Sequence, residues 1–318
     1  MPRLSVEQAN ERFQGVVVPL VTVFDEDGAL DLDSTRANFQ WLVEQGARQG
    51  NTVFLVAGSG GDFTVMNTEE RKAVIRVAAE VSDGVVPTIA GVQSTDIRQT
   101  IELCQFCEEV GIDLAQISNA YYYDCKPDDV IAWHEEVARN TDQAFAVYSH
   151  WYSGSKYDVP VEVMEGLLEI PNTIAVKWAS PDVVNAHQGM LRFVPKAAVV
   201  DNGPMIVQGR ILGAVGWVNS MPNFYPHGVW KVNDLMNQER YVEAQRLYDE
   251  VMGPFVALVD KIAGQTAGEG VFHRPAMAAA GLKSGYSRLP SRDTVVTPDI
   301  REGFRKLIER VEVATAAD

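Results

Sequence analysis

The sequence predicts an α/β protein, a closed (β/α)8 TIM barrel with a C-terminal helical appendage, and three features of the chain lead to this prediction. Short runs rich in β-branched residues alternate with longer segments of helical period, which favours parallel strands joined by crossover helices. These runs number eight, which is the count that closes such a barrel. From about residue 231 onward no further strand is predicted, so the rest of the chain is expected to be helical.

The elements follow one another in regular order. Helix starts are marked by capping residues followed by acidic residues, as in Asn67-Thr68-Glu69-Glu70 and Lys126-Pro127-Asp128-Asp129. The predicted strands cover residues 15–21, 52–56, 87–90, 114–117, 145–148, 173–177, 197–200 and 214–218, and the predicted helices between them include residues 34–45, 68–82, 96–110, 128–141 and 161–169.

The chain divides into a catalytic barrel over residues 1–230 and a helical region over residues 231–318. No low-complexity linker separates the two, so the helical region is expected to pack on the barrel. Its predicted helices cover residues 239–251, 254–262, 275–281 and 298–314.

Composition and charge exclude several classes of function. The 318 residues carry a formal charge of −16, which repels phosphate backbones and anionic lipids, so neither nucleic acid nor a membrane is an expected partner. The N-terminus has no apolar signal core, and a cytoplasmic location is expected. Cys104 and Cys107 share a helical face without further ligands and are predicted to be buried free thiols. His134 and His187 are predicted to lie on helix surfaces, and no metal site is expected.

Lys177 ends the sixth predicted strand, where the side chains of a barrel enzyme do their chemistry. A lysine amine that is neutral because of its apolar surroundings can condense with a ketone, and the protonated imine then withdraws electrons from the neighbouring carbon. The alternative is a strand-end lysine that reaches into solvent. Tyr148, at the end of the preceding strand, could move the protons that imine formation requires.

Gly58-Ser59-Gly60-Gly61 follows the second strand, and its flexible backbone could present N–H groups to a carboxylate. The spacing does not fit a dinucleotide fingerprint, because Phe63 stands where the third glycine is needed. A substrate carboxylate is therefore the expected ligand of this turn.

Several motifs together resemble the class I, Schiff-base-forming lyases typified by dihydrodipicolinate synthase and N-acetylneuraminate lyase. The resemblance runs from about residue 16 to residue 310. It is carried by Pro19-Leu20-Val21-Thr22-Val23-Phe24, the Gly58–Asp62 turn, Val86-Pro87-Thr88-Ile89-Ala90-Gly91-Val92, Ala120-Tyr121-Tyr122, Tyr148-Ser149, Val176-Lys177, Gly213-Ala214-Val215-Gly216-Trp217 and Arg288-Leu289-Pro290.

The resemblance implies that Lys177 forms the imine and that Tyr148 handles the proton, with Ser59 and Tyr122 as relay partners. In the family this second tyrosine comes from a neighbouring subunit, which implies a homo-oligomer, a dimer or a dimer of dimers. No cofactor is implied beyond the covalent lysine imine with the substrate, a 2-keto acid such as pyruvate that reacts with an aldehyde. Asp62 is expected to brace its turn rather than to move protons.

Substrate binding is predicted at Gly58, Ser59, Gly60, His150, Trp151, Ser153 and Val218. Ser153 stands where dihydrodipicolinate synthase has the arginine that grips its aldehyde's carboxylate, so aspartate semialdehyde is not the expected partner. The His150-Trp151-Tyr152 segment is either a packing variant or a site for an apolar or aromatic group.

Two alternatives stay open. The turn Ala57-Gly58-Ser59-Gly60-Gly61-Asp62-Phe63 is similar to that of the family's sugar-acid dehydratases, so loss of water from a 2-keto-3-deoxy sugar acid through the same imine is the first. The second is a catalytically silent relative that binds a keto acid as a sensor or scaffold.

Overall fold

Eight parallel strands form a closed barrel in which each strand pairs with its neighbours in chain order, and β8 pairs with β1. The structure, a computed structural model, describes residues 4–149, 151 and 157–316. The strands are β1 Gly15–Pro19, β2 Thr52–Val56, β3 Thr88–Gly91, β4 Leu114–Ile117, β5 Phe145–Tyr148, β6 Thr173–Trp178, β7 Ala198–Asp201 and β8 Gly216–Val218. The predicted barrel is confirmed.

Helices alternate with the strands and then continue alone. Short 3-10 turns occur at Ser59–Gly61, Phe63–Val65, Met221–Asn223 and Asp293–Val295. The α-helices are α1 Val6–Arg12, α2 Leu32–Glu44, α3 Thr68–Ser82, α4 Ile97–Val110, α5 Pro127–Arg139, α6 Val161–Leu168, α7 Val183–Phe193, α8 Ile206–Ile211, α9 Pro226–Asn237, α10 Tyr241–Ala263, α11 Gly270–Ala279 and α12 Pro298–Ala316.

The strands are buried on both faces and divide the hydrophobic core into two layers. The inner layer fills the barrel with small and branched side chains, among them Val17, Leu55, Ala175 and Val200. Phe13, directly after α1, joins this layer, so α1 covers the amino-terminal end of the barrel. The outer layer lies between the strands and their helices. The carboxyl-terminal rim is therefore the open end at which side chains can meet a substrate.

The C-terminal helices pack on the barrel and on one another, but their bounds differ from the prediction. The two helices predicted at residues 239–251 and 254–262 are one helix, α10 Tyr241–Ala263, which continues through Pro254. Contacts of α10 with α9 and α12 hold it together although proline cannot donate a backbone hydrogen bond. Helix α9 crosses the predicted boundary at residue 230 and packs against β1.

His134 is not on a helix surface, and that prediction was wrong. Val130, His134 and Val137 form the inward stripe of α5, and His134 is 1% exposed. Its ring nitrogen Nδ1 lies 2.7 Å from the carbonyl oxygen of Val130 one turn earlier. His187 is exposed as expected, and Cys104 and Cys107 are buried free thiols as expected. Within the described ranges no helix is long and apolar enough to cross a bilayer.

Candidate active site

Lys177 lies at the carboxyl end of β6, with its side chain inside the barrel. Its strand neighbours in register are Tyr148 on β5 and Val200 on β7, and Val200 belongs to the inner core layer. The next residue, Trp178, belongs to the outer layer and stacks edge-on against Phe193 of α7. Because successive strand residues face opposite sides, the alternation places the amine in the barrel mouth. Only 7% of Lys177 is exposed.

Burial lowers the pKa of the Lys177 amine to about 8, because a charged ammonium loses its hydration inside the barrel. The negative charge of Glu269 opposes this effect in part by raising the pKa. The amine nitrogen Nζ lies 4.2 Å from the centre of the Tyr148 ring. The two residues that the sequence singled out thus meet directly, and the neutral amine that imine chemistry requires is within reach of ordinary pH.

The glycine turn after β2 carries Ser59 and is held in an unusual backbone conformation. Ala57 and Asp62 both have positive φ, at 51° and 59°, which non-glycine residues seldom adopt. The N–H groups of Gly61 and Phe63 bond to the carbonyl oxygen of Gly58. By contrast, the N–H groups of Ser59 and Gly60 have no acceptor among the described residues. Two adjacent free amides at a strand end suit a carboxylate.

Gly60 is required by close packing rather than by its dihedral angles. A Cβ atom there would lie 2.9 Å from the Cβ of Pro19 and 3.4 Å from the ring of His273. Burial, with help from the charge of Arg274, lowers the pKa of His273 to about 3, so this ring is neutral. The turn is therefore packed closely between the end of β1 and α11.

Asp62 ends the turn and is tied to the C-terminal helices. Its carboxylate makes a buried ion pair with Arg274 of α11, with 2.6 Å between Oδ2 and the guanidinium. Its other oxygen accepts a hydrogen bond of 3.3 Å from the backbone N–H of Gly270. Arg274 also donates to the carbonyl oxygen of Thr22, 3.0 Å away. These contacts fit the expected bracing role of Asp62.

Among the residues that the structure describes, no contact joins Tyr122 to Lys177. It is 80% exposed, and its ring meets that of Tyr123 edge-on with centroids 5.3 Å apart. Tyr121, the preceding residue, instead packs edge-on against Phe63 beside the glycine turn. The Tyr122 ring is therefore accessible at the surface.

The predicted substrate-binding residues separate into two groups. Gly58, Ser59 and Gly60 share the turn, and Val218 packs against the inner core layer at the carboxyl end of β8. Trp151 lines a different cavity of about 340 Å³, on the outer side of β6, together with Trp178, His187, Asp201 and Met205. His150 and Ser153 lie outside the described residues.

Glu269 is a candidate site residue that the motifs did not reveal. It precedes α11, in the region predicted only as a helical appendage, yet its charge and that of Lys177 influence each other. The signal available in the sequence was weak: an acid between two glycines in Gly268-Glu269-Gly270. In the part of the chain that the structure describes, no cluster of histidine, cysteine and acidic side chains could hold a metal ion.

Comparisons with known proteins agree with this geometry. The Dihydrodipicolinate synthetase family model matches residues 12–310. An uncharacterized DapA-like lyase of Pyrobaculum neutrophilum is 31% identical over 308 residues, which cover 94% of this chain and 97% of the relative. The 4-hydroxy-tetrahydrodipicolinate synthase of Exiguobacterium sibiricum is 28% identical over 279 residues, covering 87% and 92% of the two chains.

A solved structure shows the same fold. It is that of YagE, a prophage protein of the dihydrodipicolinic acid synthase family from Escherichia coli K12, in complex with pyruvate. The two structures superpose with a TM-score of 0.83 at 21% identity, over 94% of this chain and 99% of the other. At that identity the likeness concerns the fold alone.

Proposed function

Because the chain belongs to the dihydrodipicolinate synthetase family and is a class I lyase of that family, we propose that it makes or cleaves a carbon–carbon bond between a 2-keto acid such as pyruvate and an aldehyde. The observation that carries this proposal is the buried Lys177 amine, whose pKa is lowered to about 8 and which lies 4.2 Å from the Tyr148 ring. Such an amine is a nucleophile that needs no cofactor as electron sink.

In the proposed reaction the neutral amine of Lys177 attacks C2 of the keto acid, and the carbinolamine loses water to give a protonated imine. A proton then leaves C3, and the resulting enamine attacks the carbonyl carbon of the aldehyde. In the cleavage direction the C3–C4 bond breaks instead, and its electron pair forms the enamine. Hydrolysis of the last imine releases the product and restores the amine.

Tyr148 is the proposed proton carrier for carbinolamine formation and dehydration, because its ring is already in contact with the amine. Ser59 and Tyr122 are the proposed relay partners. The 80% exposure of Tyr122 supports a contribution across a subunit interface in a homo-oligomer. Separating the subunits by dilution should then abolish turnover before the barrel unfolds, and a fully active monomer in sedimentation would refute the shared relay.

The carboxylate of the keto acid is proposed to bind the free N–H groups of Ser59 and Gly60 in the glycine turn. The carbonyl oxygen of Gly58 accepts the hydrogen bonds that hold the turn, and Val218 supplies an apolar wall from β8. Ser153 in the place of a family arginine favours an uncharged aldehyde. A clear preference for aspartate semialdehyde over neutral aldehydes would contradict that choice.

The decisive experiment is reduction with borohydride in the presence of pyruvate, followed by peptide mass spectrometry. We expect one reduced pyruvate adduct on Lys177 and none in Lys177→Met. An adduct on another lysine, or no adduct in the wild-type protein, would overturn the proposal.

A second candidate, dehydration of a 2-keto-3-deoxy sugar acid, is favoured by the likeness of the Ala57–Phe63 turn to that of the sugar-acid dehydratases. It uses the same imine and therefore gives the same trapping result. Incubation with 2-keto-3-deoxygluconate separates the two, since cleavage releases pyruvate and dehydration does not. Trapping of pyruvate without turnover of any keto acid would instead indicate a binding protein.

A further inference from the structure

Glu269 is held in place by the residues on both of its sides. A Cβ atom on Gly268, which has a φ of +88°, would lie 2.2 Å from Oγ of Ser291. A Cβ atom on Gly270 would lie 2.1 Å from both Arg274 and Asp62. A side chain at either position would collide with these groups, so the chain packs closely against Ser291 before Glu269 and against the buried Asp62–Arg274 pair after it.

This contact connects Glu269 to the glycine turn. Gly270 donates its N–H to Asp62, and Asp62 closes the 3-10 turn that begins at Ser59. Helix α11 packs against that turn. Glu269 is thus a fixed part of the rim of the barrel mouth, although it comes from the C-terminal region of the chain.

The charged groups around the Glu269 carboxyl are few. Burial raises its pKa most, the positive charge of Lys177 lowers it, and the negative charge of Asp62 raises it again. Arg274 is already paired with Asp62, and the low pKa of His273 keeps that ring neutral. Among the described residues the Glu269 carboxyl has neither a hydrogen bond nor an ion pair, and its side chain is only part-buried. It is therefore free to meet a ligand at Lys177.

The proposed reaction leaves one proton transfer without a residue. Lys177 and Tyr148 act at C2 of the keto acid, but the oxygen on C4 must also exchange a proton. In condensation the aldehyde oxygen gains a proton as the enamine carbon bonds to its carbon. In cleavage the C4 hydroxyl loses that proton as the C3–C4 bond breaks.

We propose that Glu269 is a further catalytic residue, which gives a proton to the aldehyde oxygen during condensation and takes it back from the C4 hydroxyl during cleavage. This inference rests on the proposed function. Loss of water from a sugar acid would use the same carboxyl as an acid, since the C4 hydroxyl then leaves as water with the electron pair of the C–O bond. The raised pKa favours the protonated carboxyl, which is the form that donates in condensation and in loss of water.

The test uses Glu269→Gln, which keeps the size of the side chain but cannot ionise. Glu250→Gln is the matched control, because it makes the same change at an exposed position of α10. Two reactions are followed on the whole protein: exchange of the pyruvate methyl protons with D₂O, which needs only the imine, and condensation of pyruvate with D-glyceraldehyde, with cleavage of 2-keto-3-deoxygluconate as the reverse.

We expect Glu269→Gln to retain proton exchange and borohydride trapping while turnover of the full reaction falls by about 10²–10⁴-fold. Because Glu269 raises the pKa of Lys177, the rise of exchange with pH should also move to lower pH in Glu269→Gln. Glu269→Asp, which restores the acid on a shorter side chain, should recover part of the turnover. Glu250→Gln should match the wild-type protein throughout.

Three results would overturn the assignment. Full turnover in Glu269→Gln would show that another group moves this proton. Equal loss of exchange and turnover would make Glu269 a structural residue. If the pH midpoint of pyruvate proton exchange did not move, the Glu269 carboxyl would lie too far from the Lys177 amine to affect its pKa. Exchange uses no aldehyde, so this result does not depend on the choice of aldehyde. Failure of wild-type trapping would instead refute the proposed function itself.

Discussion

Two acid–base combinations lie at the barrel mouth, and they are arranged in opposite ways. Asp62 and Arg274 are in direct contact at 2.6 Å and share further hydrogen bonds with Gly270 and Thr22. Lys177 and Glu269 sense each other's charge but form no ion pair within the described residues. The first combination is a direct ion pair, whereas the pKa shifts of the second favour two neutral groups.

The difference shows how one fold provides for stability and chemistry with similar residues. Burial of a charge is tolerated when a partner and hydrogen bonds replace the lost water, as around Asp62. Where the partner is missing, burial lowers the pKa of the lysine and raises that of the glutamate. Unpaired titratable groups in a cleft are those that can exchange protons or react.

The largest effect is expected at Lys177. Lys177→Met should abolish turnover and borohydride trapping, because thioether sulfur cannot form an imine. It should not weaken the fold: removing an amine whose pKa has fallen from 10.5 to about 8 removes a burial cost of at most about 3 kcal/mol at pH 7. Urea denaturation should give an equal or larger free energy of unfolding. A large loss of stability would mean that the amine is paired after all.

Tyr148→Phe should lower turnover by about 10²–10⁴-fold, since it removes the hydroxyl that moves protons and leaves the ring over the Lys177 amine. The steady-state rate of condensation of pyruvate with an aldehyde measures this loss of turnover. Denaturation in urea serves as the control for folding. An unchanged rate would move the proton carrier to another residue.

Arg274→Met tests the paired side of the comparison. It leaves Asp62 as a buried carboxylate without its partner, which should cost about 3–5 kcal/mol of unfolding free energy. The double variant Asp62→Leu with Arg274→Met removes both charges and should recover much of that loss. If the single and double variants are equally unstable, lost packing rather than the unpaired charge is responsible.

The smallest effect is that of pH on imine chemistry. With a pKa of about 8, roughly a tenth of the Lys177 amine is neutral at pH 7 and most of it at pH 9, so pyruvate proton exchange should rise about tenfold between them. Between about pH 8 and 10.5, the Lys177 amine binds fewer protons in the folded protein than in the unfolded chain. The lysine therefore destabilises the fold below pH 8, and that penalty disappears as the pH rises to 10.5. A pH midpoint of exchange near 10.5 would contradict a buried Lys177 amine without an ion-pair partner.

The barrel strands could be predicted closely because each is a short apolar run with a distinct end. The predicted strands at residues 52–56, 114–117 and 145–148 coincide with β2, β4 and β5. Lys177 and Tyr148 could be paired for the same reason, since neighbouring parallel strands bring their last residues together. In these places local sequence and position in the fold give the same answer.

Features that depend on distant contacts could not be predicted. Pro254 indicated a helix boundary, but packing against α9 and α12 keeps α10 continuous. His134 looked like a surface residue because polarity alone does not reveal which face of α5 is inward. Glu269 belongs to no motif, and only the packing of Gly268 and Gly270 on Asp62 brings it to the barrel mouth.

The packing of α11 against the glycine turn also limits how this chain can diverge by recombination. If two relatives exchanged their C-terminal regions, Glu269 and Arg274 would move together. The barrel that receives them would supply Lys177 and Asp62. A hybrid would gain the incoming carboxyl only where the recipient barrel also offers an acid to the incoming arginine. A new specificity brought in with α11 therefore also requires an acidic residue in the turn after β2. We expect substitutions in these two segments to occur together.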